Sequence, residues 1–253
     1  MSYYRSLIQS GSAYLPLTTA WITATSETDL IILGALNDLE TDLTTYALTS
    51  KIKNLYLMVG GTAFKHSLNF MNTALYIGTF SSGWTHNSTG ANGNASALMQ
   101  MGIKPSDLSQ DSISYGCVQR LNTGVGFAMS TLGTSSRCEL IPSTGANDAY
   151  TSANDSTQEY FLNTDRIGFY KATRTASNVV KAFKDGVLKT SKTTSSSSPS
   201  SFEFYLNSRN NNGSSGFNNA NEYYFVFVGE GLTDTDVTNL TTIQQNFKTA
   251  LSR

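Results

Sequence analysis

Two neutral polar segments of the chain combine aromatic, amide and guanidinium side chains. An aromatic ring can stack on the apolar face of a sugar ring, and amides or guanidinium groups can hydrogen-bond its hydroxyl groups. The first segment covers residues 84–87 and the second covers residues 207–212. We therefore predict a glycan-binding site. Its candidate residues are Trp84, His86, Asn87, Asn207, Arg209 and Asn211.

Each candidate segment also fits a structural interpretation. A core-lining role is the favoured interpretation of Trp84, and the Asn-rich segment would also suit a solvated turn. If the segments bind glycans, affinity comes from stacking and amide hydrogen bonds, because Arg209 is their only charged residue, and many displayed copies add avidity. We then expect Arg209→Ala and Asn211→Ala to weaken binding without lowering the melting temperature, since both lie in a predicted loop.

The acidic residues do not form the pair that glycoside hydrolysis needs. A β-sandwich glucanase places two carboxylates at alternate positions of one strand, so that both reach the same face. Here Glu203 is isolated in its predicted strand. The sequence also lacks a Gly-x-Ser-x-Gly elbow, a P-loop and a dinucleotide-binding fingerprint. We predict a protein that is not an enzyme, with no catalytic residues and no cofactor; a glycoside-processing enzyme is the alternative.

The cysteine and histidine content argues against a metal site built on soft ligands. Cys117 and Cys138 are the only cysteines, and His66 and His86 are the only histidines. The first residues lack the apolar core of a secretory signal, so we expect the protein to be made in the cytoplasm. Two buried thiols are then favoured over a disulfide, and no metal is predicted.

A calcium site is a separate alternative. Asn147–Asp148 and Asn154–Asp155 lie in what the sequence predicts to be one polar loop. Their oxygens could bind calcium, but ordinary Asx turns explain the same residues and are the favoured interpretation.

Composition narrows the classes of partner. The chain has 253 residues and a net charge of −1, which gives no electrostatic case for nucleic-acid binding. No apolar run reaches the roughly 20 residues of a membrane-spanning helix, so membrane insertion is not expected. Only 14 % of the residues are charged. A neutral polar surface suits contacts between subunits or with sugars, so we expect a homo-oligomer.

Strand signals dominate the chain from residue 64 to residue 228. Asp185-Gly186 predicts a tight hairpin, because both positions tolerate the positive φ of a type I′ turn. Further strands are predicted at residues 202–207 and 223–228, and residues 112–118 are predicted to pair with residues 126–129. Strands about ten residues apart, without intervening helices, indicate a β-sandwich.

Helices are predicted near both ends of the chain. Ser26 fits an N-cap with Asp29 at the capping-box position, followed by leucines at helical spacing. Thr233 fits a second N-cap, with Asp236 three residues later. Residues 1–25 lack a helical period and are interpreted as an extended arm or an edge strand. The predicted organisation is an arm (1–25) followed by one domain (26–253).

We therefore predict an all-β protein: an antiparallel β-sandwich of the lectin-like jelly-roll type, with an N-terminal helical segment and a C-terminal helix. The sequence resembles the concanavalin A-like (laminin-G-like) β-sandwich domains of tailed-bacteriophage virion structural proteins, over residues 26–253. The resemblance rests on residues 48–63, residues 82–90, the Asp185-Gly186 hairpin and residues 228–234.

The resemblance implies a non-enzymatic virion protein, made in the cytoplasm of a host bacterium. It would decorate the head or tail, or form part of a fibre, and would attach to other virion proteins through the arm. Host or mucosal glycans are the implied ligands. A purely architectural virion subunit without a ligand is a further alternative.

Overall fold

The computed structural model describes residues 13–121 and 125–253. Within them, no helix is long and apolar enough to cross a membrane. The helices are α1 (Pro16–Thr25), α2 (Leu30–Thr45), α3 (Ala63–Ser67) and α4 (Asp234–Ala250), with a short 3₁₀ helix at Pro105–Asp107. The strands are β1 (Ile52–Tyr56), β2 (Thr79–Phe80), β3 (Trp84–Asn87), β4 (Gly90–Gly93), β5 (Met99–Gln100), β6 (Ile113–Gln119), β7 (Met129–Leu132), β8 (Arg137–Ile141), β9 (Asp148–Asp155), β10 (Glu159–Leu162), β11 (Gly168–Ala176), β12 (Val179–Lys184), β13 (Val187–Thr193), β14 (Tyr205–Leu206), β15 (Arg209–Asn211), β16 (Ser214–Gly216) and β17 (Asn221–Gly229).

The strands form two sheets. The first has eight strands in the order β13-β12-β11-β6-β17-β4-β3, with β1 also paired to β17. The second has nine strands in the order β10-β9-β8-β7-β14-β5-β2, and β15 joins it beside β7 and pairs with β16. We call the first the covered sheet and the second the open sheet. The predicted antiparallel β-sandwich with terminal helices is confirmed.

Two apolar layers hold the fold together. One layer lies between the sheets and includes Tyr115 of the covered sheet and Leu140 of the open sheet. The other lies between the covered sheet and the helices, where Leu36 of α2 and Phe247 of α4 belong to the same cluster as Phe225 of β17. The central strands of the covered sheet, β6 and β17, are therefore buried on both faces. The helices α1, α2 and α4 pack on the covered sheet and not on the outer face of the open sheet.

The Asp185-Gly186 turn forms as predicted. Asp185 has a φ of 51° and Gly186 a φ of 82°, and the turn connects β12 to β13. Both values are positive, as a type I′ turn requires. The capping box of α4 is also confirmed: the Thr233 hydroxyl accepts a hydrogen bond from the Asp236 backbone amide, and the Asp236 carboxylate accepts one from the Thr233 amide.

The start of the chain differs from the prediction. Residues 16–25 form helix α1 instead of an extended arm or edge strand, and Trp21 is only 1 % exposed within the helical layer. The Glu40 carboxylate of α2 accepts hydrogen bonds from the backbone amides of Leu17 and Thr18 at 2.9 and 2.8 Å. It thereby satisfies amides that a helix N-terminus leaves without partners. The folded body includes α1, and residues 1–12 lie outside the described residues.

Two local predictions were wrong. Helix α2 is capped by the side chain of Asp29 and not by Ser26, which instead ends α1 in the left-handed conformation. Strands β6 and β7 do not pair with each other, because β6 lies between β11 and β17 in the covered sheet while β7 belongs to the open sheet. The two cysteines are free and buried in the inter-sheet layer, as predicted.

Candidate functional site

Trp84 is partly buried and packs its ring inward. Its indole nitrogen donates a hydrogen bond to the Leu98 carbonyl at 2.9 Å, and the ring packs against the inter-sheet core. Phe80 meets it edge to face, with ring centroids 5.2 Å apart, and the Tyr223 ring lies 6.2 Å away. The structure thus places Trp84 in the core-lining role that the sequence offered as the alternative.

His86 and Asn87 complete β3 at the edge of the covered sheet. The Nδ1 atom of His86 lies 2.9 Å from Nδ1 of the buried His66, and Phe80 packs edge to face on the His86 ring at 4.6 Å. Asn87 is exposed. These residues are in a different sheet from Arg209 and Asn211, so the six candidates do not form one site.

Asn207 is fully buried and connects the two sheets. Its amide nitrogen donates to the carbonyls of Asn94 and Ala97 at 3.1 and 2.8 Å, and its amide oxygen accepts from the Tyr223 hydroxyl at 3.2 Å. Its hydrogen-bonding capacity is used within the protein, so its contribution is structural. Asn211, by contrast, is exposed on β15.

Arg209 lies on the outer face of the open sheet, where a second set of side chains meets it. Cys138 and Leu140 of β8 point into the inter-sheet layer. Because side chains alternate along a strand, Glu139 and Ile141 point to the opposite, outer face. Arg209 approaches Glu139 from β15, with Nε 3.0 Å from a carboxylate oxygen. The candidate site is built around this contact.

We call Arg137, Glu139, Gln158 and Arg209 the charge cluster. Glu139 is completely buried, and its second carboxylate oxygen accepts from the Gln158 amide at 2.7 Å and faces an Arg137 nitrogen at 3.5 Å. A buried carboxylate requires such partners, because an unpaired charge is costly away from water. The cluster therefore fixes the Arg209 side chain in place.

A cavity of about 390 Å³ opens beside the charge cluster. Its lining residues are Val125, Gly126, Phe127, Ile141, Thr144, Phe217 and Asn218. The guanidinium carbon of Arg209 lies 5.1 Å from the centre of the Phe127 ring, which links the cluster to the cavity wall. The cavity is mainly apolar with a few polar groups at its rim, which is the usual make-up of a small-ligand site.

Phe217 stands at the mouth of this cavity in an unusual conformation. Its side chain is 73 % exposed, and its backbone has a φ of 51°. A bulky residue in the left-handed region costs about 1–3 kcal/mol, and such strain concentrates at functional sites. The Phe217 carbonyl accepts a hydrogen bond from the Phe127 backbone amide at 3.3 Å. The same carbonyl oxygen packs closely on Gly126, where a Cβ atom would lie only 2.7 Å from it. Close backbone packing therefore fixes the main chain at Phe217.

Two tyrosines extend the apolar surface away from the cavity. Tyr150 of β9 pairs with Ile141 on one side and with Tyr160 of β10 on the other. The two tyrosine rings are 6.2 Å apart, and Tyr160 is 63 % exposed. The nearby Asp148 carboxylate raises the pKa of Tyr150. We call Tyr150 and Tyr160 the aromatic rim.

The outer face offers one buried acid and not a pair. The residues directly opposite Glu139 on the two neighbouring strands are Ser130 and Ser152. The residues of the alternative calcium site do not lie in one loop, because Asp148 begins β9 and Asp155 ends it, about 23 Å away at the usual strand rise. Among residues 13–121 and 125–253, no three His, Cys, Asp or Glu side chains form a metal-binding group.

Of the residues in this candidate site, the sequence indicated Arg209 but gave no prediction for Phe217, Glu139 or the aromatic rim. One signal for Phe217 was available: it is the only aromatic residue in an Asn-, Ser- and Gly-rich stretch from residue 207 to residue 221. Glu139 gave no comparable signal, because its partners Gln158 and Arg209 are 19 and 70 residues away in the chain.

The charge cluster changes the expectation for Arg209. We predict that Arg209→Ala lowers the free energy of unfolding by about 1–3 kcal/mol, because Glu139 stays buried and loses a charged donor. Asn211→Ala, on the same strand but exposed, is the matched control and should change stability by less than about 0.5 kcal/mol. Urea denaturation of the two variants checks this. Equal stability of both would contradict the role assigned to the Glu139 contact.

The His66–His86 contact predicts a loss of stability in acid. Burial, and next the neighbouring His86, lower the pKa of His66 from 6.5 to about 3. Between these values the unfolded chain binds a proton that the folded protein excludes, so stability falls as the pH drops below 6.5. At pH 5 the loss from His66 is about 2 kcal/mol. His66→Gln removes this titration, and urea denaturation at pH 7.5 and pH 5 should show a correspondingly smaller loss. The same pH dependence in both proteins would contradict the prediction.

Comparisons with known proteins identify the architecture. No family model matches the chain, and no curated protein matches it. Among solved structures, domain 4 of AbnA, an extracellular GH43 arabinanase from Geobacillus stearothermophilus solved with arabinotriose, has a TM-score of 0.51 at 13 % identity. That match covers 76 % of this chain and 98 % of the arabinanase domain.

Two larger proteins share the same architecture. The binding domain of botulinum neurotoxin serotype D has a TM-score of 0.55 at 10 % identity, covering 78 % of this chain and 52 % of that one. A mutant Trypanosoma rangeli sialidase with trans-sialidase activity has a TM-score of 0.55 at 8 % identity, covering 85 % and 39 %. The chain spans about half of the toxin domain and less than half of the sialidase. These likenesses show that the chain shares the β-sandwich fold of the three proteins.

Proposed function

We propose that this protein is a non-enzymatic glycan-binding module whose site is the cavity on the outer face of the open sheet. The observation that carries the proposal is Phe217, an aromatic residue that is 73 % exposed, lines the cavity and has a left-handed backbone. Its exposed ring can stack on the apolar face of a sugar.

The groups around Phe217 have the chemistry that a sugar requires. Thr144 and Asn218 line the cavity with polar atoms, and the aromatic rim continues the apolar surface along the neighbouring strands. A cavity of about 390 Å³ lies within the usual range for small ligands. The site therefore combines stacking surfaces with a few hydrogen-bonding groups.

The structural likeness supports the same class of ligand. The arabinanase domain shares the fold over most of both chains and was solved with arabinotriose. At 13 % identity this likeness does not transfer binding residues, so the site proposed for this chain rests on its own side chains.

The absence of catalysis belongs to the same proposal. The Glu139 carboxylate is held by Arg209, Arg137 and Gln158, and serines occupy the facing positions of the adjacent strands. A glycosidase of this fold needs a second carboxylate about 5–9 Å from the first. We infer that the protein binds glycans without cleaving them. An oligosaccharide that binds the protein should therefore remain intact after incubation with it.

Phe217→Ala tests the proposed site. We predict that it weakens glycan binding about tenfold or more, because stacking on the ring is lost, while the melting temperature is unchanged since the side chain is exposed. Phe64→Ala is the matched control, because Phe64 is 58 % exposed on α3, outside the cavity lining. A multivalent preparation on a glycan array identifies the ligand, and calorimetric titration compares the variants. No binding to any glycan, or equal binding by both variants, would contradict the proposal.

We further propose that the protein is a homo-oligomeric component of a bacteriophage particle, on the head or the tail, with the start of the chain as its attachment segment. Its support is the sequence resemblance over residues 26–253 to phage virion domains. Because α1 packs into the folded body, we propose residues 1–12 as the attachment segment in place of the whole predicted arm (1–25). We predict that the full chain is found in purified particles and that deleting residues 1–12 prevents its incorporation, as detected with an antibody. Particles without the full chain, or with normal amounts of the shortened chain, would contradict this.

A further inference from the structure

We infer that the glycan bound at the open-sheet cavity carries a carboxylate, as uronic and sialic acids do, and that Arg137 and Arg209 bind it. This inference rests on the proposed glycan-binding function and specifies the ligand of the same site. It follows from the number of charges in the charge cluster, the donors that the cluster leaves unused, and its position beside the cavity.

The charge cluster contains more positive than negative charge. Arg137 and Arg209 both contact Glu139, at 3.5 and 3.0 Å, while Gln158 is neutral. The single carboxylate can balance one guanidinium group, so the cluster keeps a net charge of about +1. A second carboxylate, supplied by a ligand, would balance the cluster.

The two arginines also retain hydrogen-bond donors. Arg209 uses Nε for Glu139, and its terminal nitrogens make no hydrogen bond within residues 13–121 and 125–253. In the same part of the chain, the terminal nitrogens of Arg137 make only the 3.5 Å approach to Glu139, while its Nε is buried without a hydrogen-bond partner. The two side chains are 21 % and 27 % exposed, so a solute can reach them. Guanidinium groups with free donors favour carboxylates, which accept hydrogen bonds in a matching planar geometry.

The cluster lies next to the place where the sugar ring would stack. Glu139 and Ile141 are two residues apart on the outer face of β8, about 7 Å at the usual strand rise. Ile141 lines the cavity together with Phe127, and the Arg209 guanidinium carbon lies 5.1 Å from the centre of the Phe127 ring. A sugar seated against Phe217 can therefore direct a ring substituent towards Arg209, whose partner Glu139 also contacts Arg137.

A negative group near the cavity sets the orientation of such a ligand. Asp148 at the start of β9 is hydrogen-bonded to the Thr144 hydroxyl, which lines the cavity. Its charge repels a carboxylate at the Thr144 end, whereas the arginines attract one at the Glu139 end. An acidic sugar is therefore favoured in one direction, with its carboxylate towards Arg209.

Matched pairs of acidic and neutral sugars test the inference in the full-length protein. Trigalacturonate is compared with its methyl ester, and 3′-sialyllactose is compared with lactose, by calorimetric titration. The two pairs distinguish a uronic acid from a sialic acid as the source of the carboxylate. We expect the acidic member of at least one pair to bind about tenfold more tightly at low salt. This preference should shrink at 0.5 M salt, because the contact is partly exposed.

Arg137→Gln separates the charge from the rest of the site. We expect the ratio of the affinities for the acidic and the neutral sugar to fall about threefold or more. Lys189→Gln makes the same change in net charge on the exposed edge strand β13 and should leave the preference intact.

The outcomes separate the inference from the function on which it rests. Equal affinity for acidic and neutral sugars in both pairs, with binding still dependent on Phe217, overturns the carboxylate inference and leaves the glycan-binding proposal standing. An acid preference that Arg137→Gln leaves unchanged removes Arg137 from the site. No binding of either pair, together with array binding of other glycans that depends on Phe217, overturns the carboxylate inference alone, whereas no binding to any glycan on the array overturns both proposals.

Discussion

The fold depends on strand β17, which must bury both of its faces. Tyr223, Val226 and Val228 enter the layer between the sheets, while Phe225 and Phe227 enter the layer beneath the helices. The same strand pairs with β1, β4 and β6, so its backbone also joins most of the covered sheet. Burying this much apolar and aromatic surface is the main favourable term in folding. The helices are therefore an integral part of the domain, because without them one face of β17 would meet water.

Local sequence signals predicted the elements whose cause is local. Asp185-Gly186 specified its turn because positive φ is a property of those two residues, and Thr233 with Asp236 specified a helix start for a similar reason. Helix α1 was missed because its evidence is not local. Its Thr-rich sequence has little helical period, and the partner of its first amides is Glu40, more than 20 residues away. Only Pro16, in the first turn, was a usable signal.

The candidate site was predicted less well than the fold, again because its contacts cross the chain. Asn207 and Arg209 are two residues apart in the same polar segment. The Asn207 amide makes hydrogen bonds between the sheets, whereas the Arg209 side chain contacts the buried Glu139 carboxylate. Residue type alone does not predict which of these contacts a side chain makes. Trp84 illustrates the same difficulty, since an indole ring can line a core or form a platform for a sugar. The role of Trp84 depends on the sheet that its strand joins, and β17, which is distant in the chain, connects that strand to the covered sheet through β4.

The helical layer and the charge cluster lie on opposite sides of the sandwich, so the domain has a front and a back. Helix α1 lies on the helical side of the domain, and the cavity opens on the opposite side. In any assembly held by the helical side, every cavity points outward and none faces a neighbour across the attachment plane. Such an array bridges two separate surfaces more readily than it wraps around one polymer. The strength of the bridge would depend on the spacing of the copies as well as on the affinity of each one.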